Sequence, residues 1–329
     1  MRVLVTGATS LIGRHVVDRL LARGDQVTVV QRRSSGRSDV TEILADLADP
    51  VASKPATEHI EGVIHLAARV GITGSWSEFQ SANIDATAHL LRAARSNGVH
   101  RFVHVSTPSV AHAGEPLVGA GAGPADPERV SGHYARTKAR AEQLALGASS
   151  EAFPVVAVRP HLVWGPGDTQ LVERVIDRAR AGRLALVGSG LALIDTTFID
   201  NAADALVAAL DRANEAAGRA VVVSNGQPRT VAEIIERILV AARAPTNMRH
   251  LPSALAIGAG SIVEFVWDRQ QRSDDPPMTR FLAEQLSTAH WFDQRQTQRL
   301  LDWRPTIGLA EGFDRLARSF DPDAAGKWS

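Results

Sequence analysis

Met1-Arg2-Val3-Leu4-Val5-Thr6-Gly7-Ala8-Thr9-Ser10-Leu11-Ile12-Gly13 opens the chain with a β-branched apolar run that breaks at Gly7. From Leu11 to about Arg23 the spacing of apolar residues changes to that of an amphipathic helix. A strand that turns straight into a helix aims free backbone N–H groups and the positive end of the helix dipole at one point, where an anion is stabilised. Gly7 permits the tight turn and Gly13 the close packing of helix on strand, while Ser10 stands where glycine is commoner. At the head of a strand–helix–strand unit, such a turn is the cradle of a dinucleotide pyrophosphate. Gly7, Ser10, Leu11, Ile12 and Gly13 are its candidate residues.

The same alternation continues outward. QVTVVQ (26–31), GVIHLA (62–67), RFVHVST (101–107) and PVVAVRP (154–160) read as strands, and helical patterns cover about Glu78 to Ser96 and His133 to Leu146. Strands separated by helices of this length need crossover connections, so the fold class is α/β, a doubly wound parallel sheet of the Rossmann type. After about residue 165 the alternation loosens and Pro and Gly punctuate the chain. We therefore expect a dinucleotide-binding domain over 1–165, with some later segments returning to it, and a smaller substrate-binding lobe mainly over 166–329.

Composition narrows the function. Of 329 residues, 44% are hydrophobic and 22% charged, which suits a globular chain rather than a disordered one. Lys plus Arg and Asp plus Glu both number 36, so no overall field gathers nucleic acid or anionic lipid, and nucleic acid is not an expected partner. Without cysteine there is no disulfide, thiol nucleophile or cysteine-ligated zinc. The strand that starts at once leaves no stretch for a signal peptide, so a cytoplasmic location is expected. Leu251 to Trp267 is the most apolar later stretch, but Pro252, Gly258, Gly260 and Glu264 interrupt it too often for a transmembrane segment. It reads either as a helix of the second lobe or as a greasy wall or lid for a lipophilic substrate.

The strand QVTVVQ runs into Arg32 and Arg33, where an NAD-binding protein usually carries an acid for the ribose hydroxyls. Guanidiniums suit a 2′-phosphate, so NADP(H) is the expected cofactor; the plainer alternative is two solvated surface arginines.

The one tyrosine of the chain, Tyr134, is followed four residues on by Lys138, one of three lysines. On a helix these positions share a face. A nearby ammonium is expected to draw the phenol down from about 10 toward working pH, making Tyr134 a usable general acid or base. Upstream, Ser106 and Thr107 end the strand RFVHV, and strand ends of this kind open onto the ligand crevice. A hydroxyl there can hydrogen-bond a substrate carbonyl.

TGATSLIG, the HLAA of His65 to Ala68, STPS, YARTK and RPHLVWGPGD (159–168) together resemble the extended short-chain dehydrogenase/reductases, and within them the 3β-hydroxysteroid dehydrogenase-like branch of the epimerase/dehydratase superfamily. A narrower resemblance, to the 2-alkyl-3-oxoalkanoate reductases of bacterial long-chain olefin biosynthesis, rests on VQRR, STPSV, RPHLVWGPGD, ARAGRLALVGSG, IDTTFIDNAADA (194–205) and PPMTRFLAEQLSTAHWFD. It implies that Tyr134 gives a proton to the nascent alkoxide and that Lys138 holds the nicotinamide ribose and tunes Tyr134. Thr107 would bind the carbonyl, with Ser106 as the adjacent substitute. Asp46 and Leu47 would flank the adenine, Ala67 and Ala68 would line the cofactor, and Pro160 to Val163 would cover the nicotinamide. Asn83 falls where the family often has an asparagine, an exposed polar helix residue being the other reading. The resemblance implies a lipophilic keto acid as substrate, a homodimer, and association with other enzymes of a lipid pathway.

Other signals are weaker. Histidines 100 and 104 lie along a strand, too far apart for one ion, and neither HExxH nor GxSxG occurs, so no metal site is expected. Trp76 and Trp164 are read as pocket candidates in loops. The rivals are a hydroxysteroid dehydrogenase, a sugar-nucleotide epimerase or dehydratase holding a tightly bound NAD, and a non-enzymatic NADP(H) sensor, which would have no need of an activated phenol.

Overall fold

A computed structural model gives the architecture and describes residues 1–71, 73–112, 114–270 and 286–321. Seven strands form the large sheet: β1 (Arg2–Thr6), β2 (Gln26–Gln31), β3 (Thr41–Leu44), β4 (Gly62–His65), β5 (Arg101–Val105), β6 (Val155–Pro160) and β7 (Ala220–Val223). All neighbours are parallel, in the order β7-β6-β5-β4-β1-β2-β3. The order reverses between β1 and β4, and the crevice at the carboxyl ends of such a pair is where a doubly wound sheet takes its ligand.

Side-chain alternation explains the helical layers on both faces. Val3, Val5, Ile64, Val103, Val156 and Val158 face one way, onto α1 (Leu11–Ala22) and, from the second half of the chain, Ile199–Asp211. Leu4, Val63, Phe102 and Val155 face the other way, onto Ala86–Ser96 and the end of the helix His133–Gly147. In chain order the last three of these helices are α2, α3 and α4: Ala86–Ser96, His133–Gly147 and Ile199–Asp211. The strand β3, not among those expected, is shorter and less apolar than its neighbours, with its four residues all partly or fully exposed, which is why periodicity alone passes over it.

The helix expected from Glu78 begins at Trp76, because Ser75 and Glu78 form a reciprocal capping box. It then widens into a π-helical segment, Gln80–Asp85, before α2. Wide turns of this kind occur mostly as single-turn bulges within α-helices, frequently at functional sites.

A second core joins Trp164, Phe198, Ile234, Ile238 and Phe313 beneath the helices Val172–Arg180, Val231–Ala241 and Leu309–Ser319. Beside it a four-stranded sheet runs in the order Arg229–Thr230, Leu193–Ile194, His290–Phe292, Leu117–Ala120. The chain thus moves between the two sheets more than once: 117–120 joins the small sheet, and α4 and β7 return to the large one. Trp164 is not in a loop or a pocket wall; it is fully buried in the short strand Val163–Trp164, stacked on Phe313 and edge-on to Phe198. The Leu251 stretch becomes the end of a short strand, Arg249–Leu251, followed by the helix Ser253–Gln270, in which Leu255 is exposed and Ala256 buried. Residues 276–285 of the quoted C-terminal motif, and the tail after Asp321, lie outside the described residues. Among the described residues no helix is long and apolar enough to cross a membrane.

Candidate active site

At the turn after β1, Gly7 adopts φ +70° and lies so close to the chain after β4 that an added Cβ would sit 2.8 Å from the Ala67 nitrogen. At Gly13 the same atom would sit 2.2 Å from the Gly7 carbonyl oxygen, so the first turn of α1 rests directly on the loop. Ser10 needs no glycine: it is extended (φ −68°, ψ 161°), caps α1 by accepting from the Gly13 N–H, and donates its hydroxyl to the Gly7 carbonyl. The substitution therefore braces the cradle rather than distorting it. Leu11 and Ile12 are half-buried in the first turn of α1.

A hydrogen-bonded chain closes the bottom of the crevice. The Ala67 N–H donates to Thr6 Oγ1 (3.1 Å), which lies 2.7 Å from His65 Nδ1, while His65 Nε2 lies 3.0 Å from Thr87 Oγ1. Thr87 spends its proton on the Asn83 carbonyl (2.7 Å), so the imidazole must donate from Nε2 and accept at Nδ1. His65 is thus a neutral tie between β1 and β4, pushed down to about 3 by burial and then by the Lys138 charge. Ala67 and Ala68 are half-buried just above it.

Tyr134, Lys138 and Thr107 come together at the carboxyl end of β5. Tyr134 and Lys138 are one turn apart on α3, Tyr134 half-buried and Lys138 buried, with Lys138 Nζ donating to the Val105 carbonyl at 2.6 Å. Thr107 lies beside the Tyr134 phenol, and its hydroxyl donates to Ser109 Oγ at 3.2 Å. It also caps the short helix Pro108–Ala111 by accepting from the Ser109 N–H. Beside it, Ser106 Oγ is buried and without a hydrogen-bond partner among the described residues. The expected fall in the tyrosine pKa is not found. Burial dominates and pushes the phenol up to about 12, opposed only by the Thr107 hydroxyl, while burial also brings Lys138 down to about 8 against the pull of Glu142. Tyr134 is held here as a protonated phenol.

Asn83 is not an exposed helix residue. It is buried in the π-helical turn, donating to Thr137 Oγ1 (3.0 Å) and to the Arg69 carbonyl (3.2 Å) and accepting from the Arg69 N–H (2.7 Å). Trp76 is not in a loop: it opens the short helix Trp76–Phe79, edge-on to His133 and beneath the guanidiniums of Arg136 and Arg140. On the other flank, Pro160 ends β6 and Val163 is half-buried; between them His161 is buried and Leu162 adopts φ +40°. A bulky side chain in that region marks local strain. A small cavity of about 20 Å³ behind Ser109 is bounded by His112, His161 and His290, with His161 Nε2 2.8 Å from His290 Nδ1. Among the described residues no group of three or more His, Asp or Glu is arranged to hold a metal ion.

Arg32 and Arg33 are exposed at the carboxyl end of β2, with no ion pair among the described residues. Asp46 is exposed and folds its carboxylate onto the Ala48 N–H (2.9 Å), whereas Leu47 is buried among Ala56, Ile60 and Leu90. Two groups escape a reading of spacing alone. Glu42 of β3 reaches the turn after β2, and Glu142 of α3 pairs with the buried Arg159 of β6. The second has a sequence signal, since Tyr134, Lys138 and Glu142 recur at intervals of four on one helix face.

Three buried imidazoles set a pH limit. His65, His104 and His161 are all held far below the usual value of about 6.5, burial being the largest cause in each. Below that value the unfolded chain takes up protons that the folded chain refuses, so unfolding gains at every step down toward the folded values. Tm is expected to fall steadily as pH drops from 7 to 4, with no such slope between 7 and 8. A flat Tm over the acid range, followed by calorimetry, would show that these rings titrate normally.

The cradle fits a nicotinamide dinucleotide on the structure's own terms. Glycines sit where any Cβ would collide, a helix N-terminus points into the crevice, and a buried Gln31 Oε1 at the end of β2 has no donor among the described residues. Comparison with known proteins agrees. Residues 3–224 match the model of the NAD dependent epimerase/dehydratase family. The chain is 39% identical over 97% of its length to a 2-alkyl-3-oxoalkanoate reductase of Stenotrophomonas maltophilia (strain K279a), covering 99% of that protein. It is 26% identical over 97% of its length to the bovine (Bos taurus) sterol-4-alpha-carboxylate 3-dehydrogenase, decarboxylating, covering 92% of it. Among solved structures, MoeE5 in complex with UDP-glucose and NAD superposes with a TM-score of 0.74 at 25% identity, over 97% of this chain and 98% of that one. The resemblance read from TGATSLIG and YARTK holds, and the chain belongs to the NAD dependent epimerase/dehydratase family, as an NAD(P)-dependent oxidoreductase.

Proposed function

We propose that this protein is an NADPH-dependent ketoreductase that converts a long-chain 2-alkyl-3-oxoalkanoic acid into the 2-alkyl-3-hydroxyalkanoic acid, as in olefin biosynthesis. The observation that carries the reaction type is the placement of the Tyr134 phenol one helical turn from a buried Lys138, whose ammonium donates to the Val105 carbonyl, with Thr107 beside it at the end of β5. Full-length similarity to a protein named for that substrate supports the substrate class. Arg32 and Arg33, free of carboxylate partners among the described residues, support a 2′-phosphorylated cofactor.

When bound, the dinucleotide supplies the hydride. Gly7, Ser10, Leu11, Ile12 and Gly13 would hold its pyrophosphate, Arg32 and Arg33 its 2′-phosphate, and Ala67, Ala68, Pro160 and Val163 its nicotinamide half, with Asp46 and Leu47 toward the adenine. Lys138 spends one of its three N–H donors on Val105 and keeps two for ribose hydroxyls. A substrate carbonyl oxygen that enters between Thr107 and Tyr134 meets two hydroxyl donors, which stabilise the charge that develops on it. Tyr134 then gives up its proton; an alkoxide is a far stronger base than a phenolate, so even a phenol at about 12 transfers downhill.

The test is direct assay of the purified protein with NADPH and a long-chain 2-alkyl-3-oxoalkanoic acid, the product identified by mass spectrometry, with a 3β-hydroxysteroid plus NAD and a UDP-hexose in parallel. Formation of the hydroxy acid is expected. Turnover confined to the steroid or the sugar nucleotide would overturn the substrate assignment.

A further inference from the structure

The turn between β2 and β3 is organised by one carboxylate that the catalytic chemistry does not use. Glu42 Oε1 accepts from Gln31 Nε2 at 2.5 Å, from the Ser35 N–H at 2.7 Å and from the Ser35 hydroxyl at 2.7 Å. The Ser34 hydroxyl is a further partner; together these hydrogen bonds bring the carboxyl down to about 2. Because a carboxylate only accepts, it fixes the Gln31 amide with its nitrogen toward Glu42 and its oxygen turned away. That oxygen is buried and lacks a donor among the described residues. Of the cations in the turn, Arg37 is occupied by Asp18 and Asp39, whereas Arg32 and Arg33 have no ion pair among the described residues.

We propose that Glu42 is a specificity-determining positioning residue: by gripping Gln31, Ser34 and Ser35 it presents a neutral amide oxygen and the guanidiniums of Arg32 and Arg33 to the adenosine ribose, so that a 2′-phosphate is selected over a 2′-hydroxyl. The inference rests on NADPH being the cofactor. Gln31 stands at the end of β2 where a carboxylate would repel a phosphate and attract ribose hydroxyls. The acid is displaced instead to β3, where donors from the turn occupy it and it serves as a scaffold. A buried amide oxygen without a donor is costly, and the ribose 3′-hydroxyl, which both cofactors carry, is a donor that can satisfy it, so the guanidiniums of Arg32 and Arg33 make the selection.

The test is binding without turnover: calorimetric titration of wild type, Glu42→Gln and Ser35→Ala with NADPH, NADH, adenosine 2′,5′-bisphosphate and 5′-ADP. Wild type is expected to favour the two 2′-phosphorylated probes. In Glu42→Gln the Kd for those two should rise about tenfold while NADH and 5′-ADP change by less than about twofold, as losing charge-assisted bonds to the turn would predict. Ser35→Ala should move the same ratio in the same direction by less, and it carries the test if Glu42→Gln does not fold. An unchanged ratio, or equal weakening of all four probes, would overturn the role of Glu42 and leave the NADPH assignment standing. A wild type that binds NADH as tightly as NADPH would remove that assignment and this inference with it.

Discussion

Replacing Tyr134 by phenylalanine is expected to lower kcat for ketone reduction by about 10²- to 10⁴-fold, the usual worth of a positioned general acid. The substitution removes one oxygen from a site otherwise held by Thr107, Val105 and Lys138. Cofactor affinity should change little, because the pyrophosphate cradle and Lys138 lie on other contacts. Stopped-flow kinetics on the variant separates the two effects. Unimpaired reduction by Tyr134→Phe would remove the phenol from the mechanism. Thr107→Ala should lose less, since Tyr134 still donates, while Thr107→Ser should recover most of the rate.

The second large effect is structural. Arg159 and Glu142 are fully buried and joined by two hydrogen bonds, Nε to Oε2 at 2.8 Å and Nη2 to Oε1 at 2.5 Å. The guanidinium also donates to the carbonyls of Ala122 and Gly123, tying α3 and β6 to the loop that leads out of the small sheet. Glu142→Gln leaves a buried cation without its counter-charge and is expected to cost about 3–5 kcal/mol, a fall in Tm on the order of 10 °C. The double change Glu142→Leu with Arg159→Met should recover much of it, since apolar replacements of a buried pair are often close to neutral. Glu142 also raises the Lys138 pKa against burial, so Glu142→Gln should draw that amine below about 8 and move the alkaline limb of the rate profile to lower pH. Calorimetry and a pH–rate profile check both, and a Tm within a degree or two of wild type would show that the pair contributes little.

Much of this site is legible in the linear chain because its determinants are local. Gly7, Ser10 and Gly13 lie within one turn of backbone, and Tyr134 and Lys138 within one turn of helix, so spacing alone brings each group together. The strands β1, β2, β4, β5 and β6 are apolar runs that parallel pairing buries on both faces, which periodicity reads well. Where contact depends on distant segments, the sequence is silent. Nothing local says that Glu42 turns toward Gln31 or that Arg159 meets Glu142 across the sheet. The direction of the Tyr134 pKa shift is hidden for the same reason: an ammonium four residues away suggests a lowered value, but the burial that raises it is a property of the packed crevice. Trp164 shows the converse error, since the Gly-Pro-Gly that follows it looks like a loop while its own strand is buried against Phe198 and Phe313. Ser10 departs from the glycine pattern without consequence, because the extended backbone there is open to any residue and the hydroxyl finds work as a helix cap.

The most direct test of a net reduction is to follow the label from C4-deuterated NADPH, with each C4 epimer used in turn, through one turnover on a long-chain 2-alkyl-3-oxoalkanoic acid. Deuterium at C3 of the hydroxy acid with one epimer, matched mole for mole by oxidised cofactor and lost in Tyr134→Phe, is the result expected. Product without deuterium from either epimer, or a tightly held NAD that cycles with no net consumption of NADPH, would contradict it.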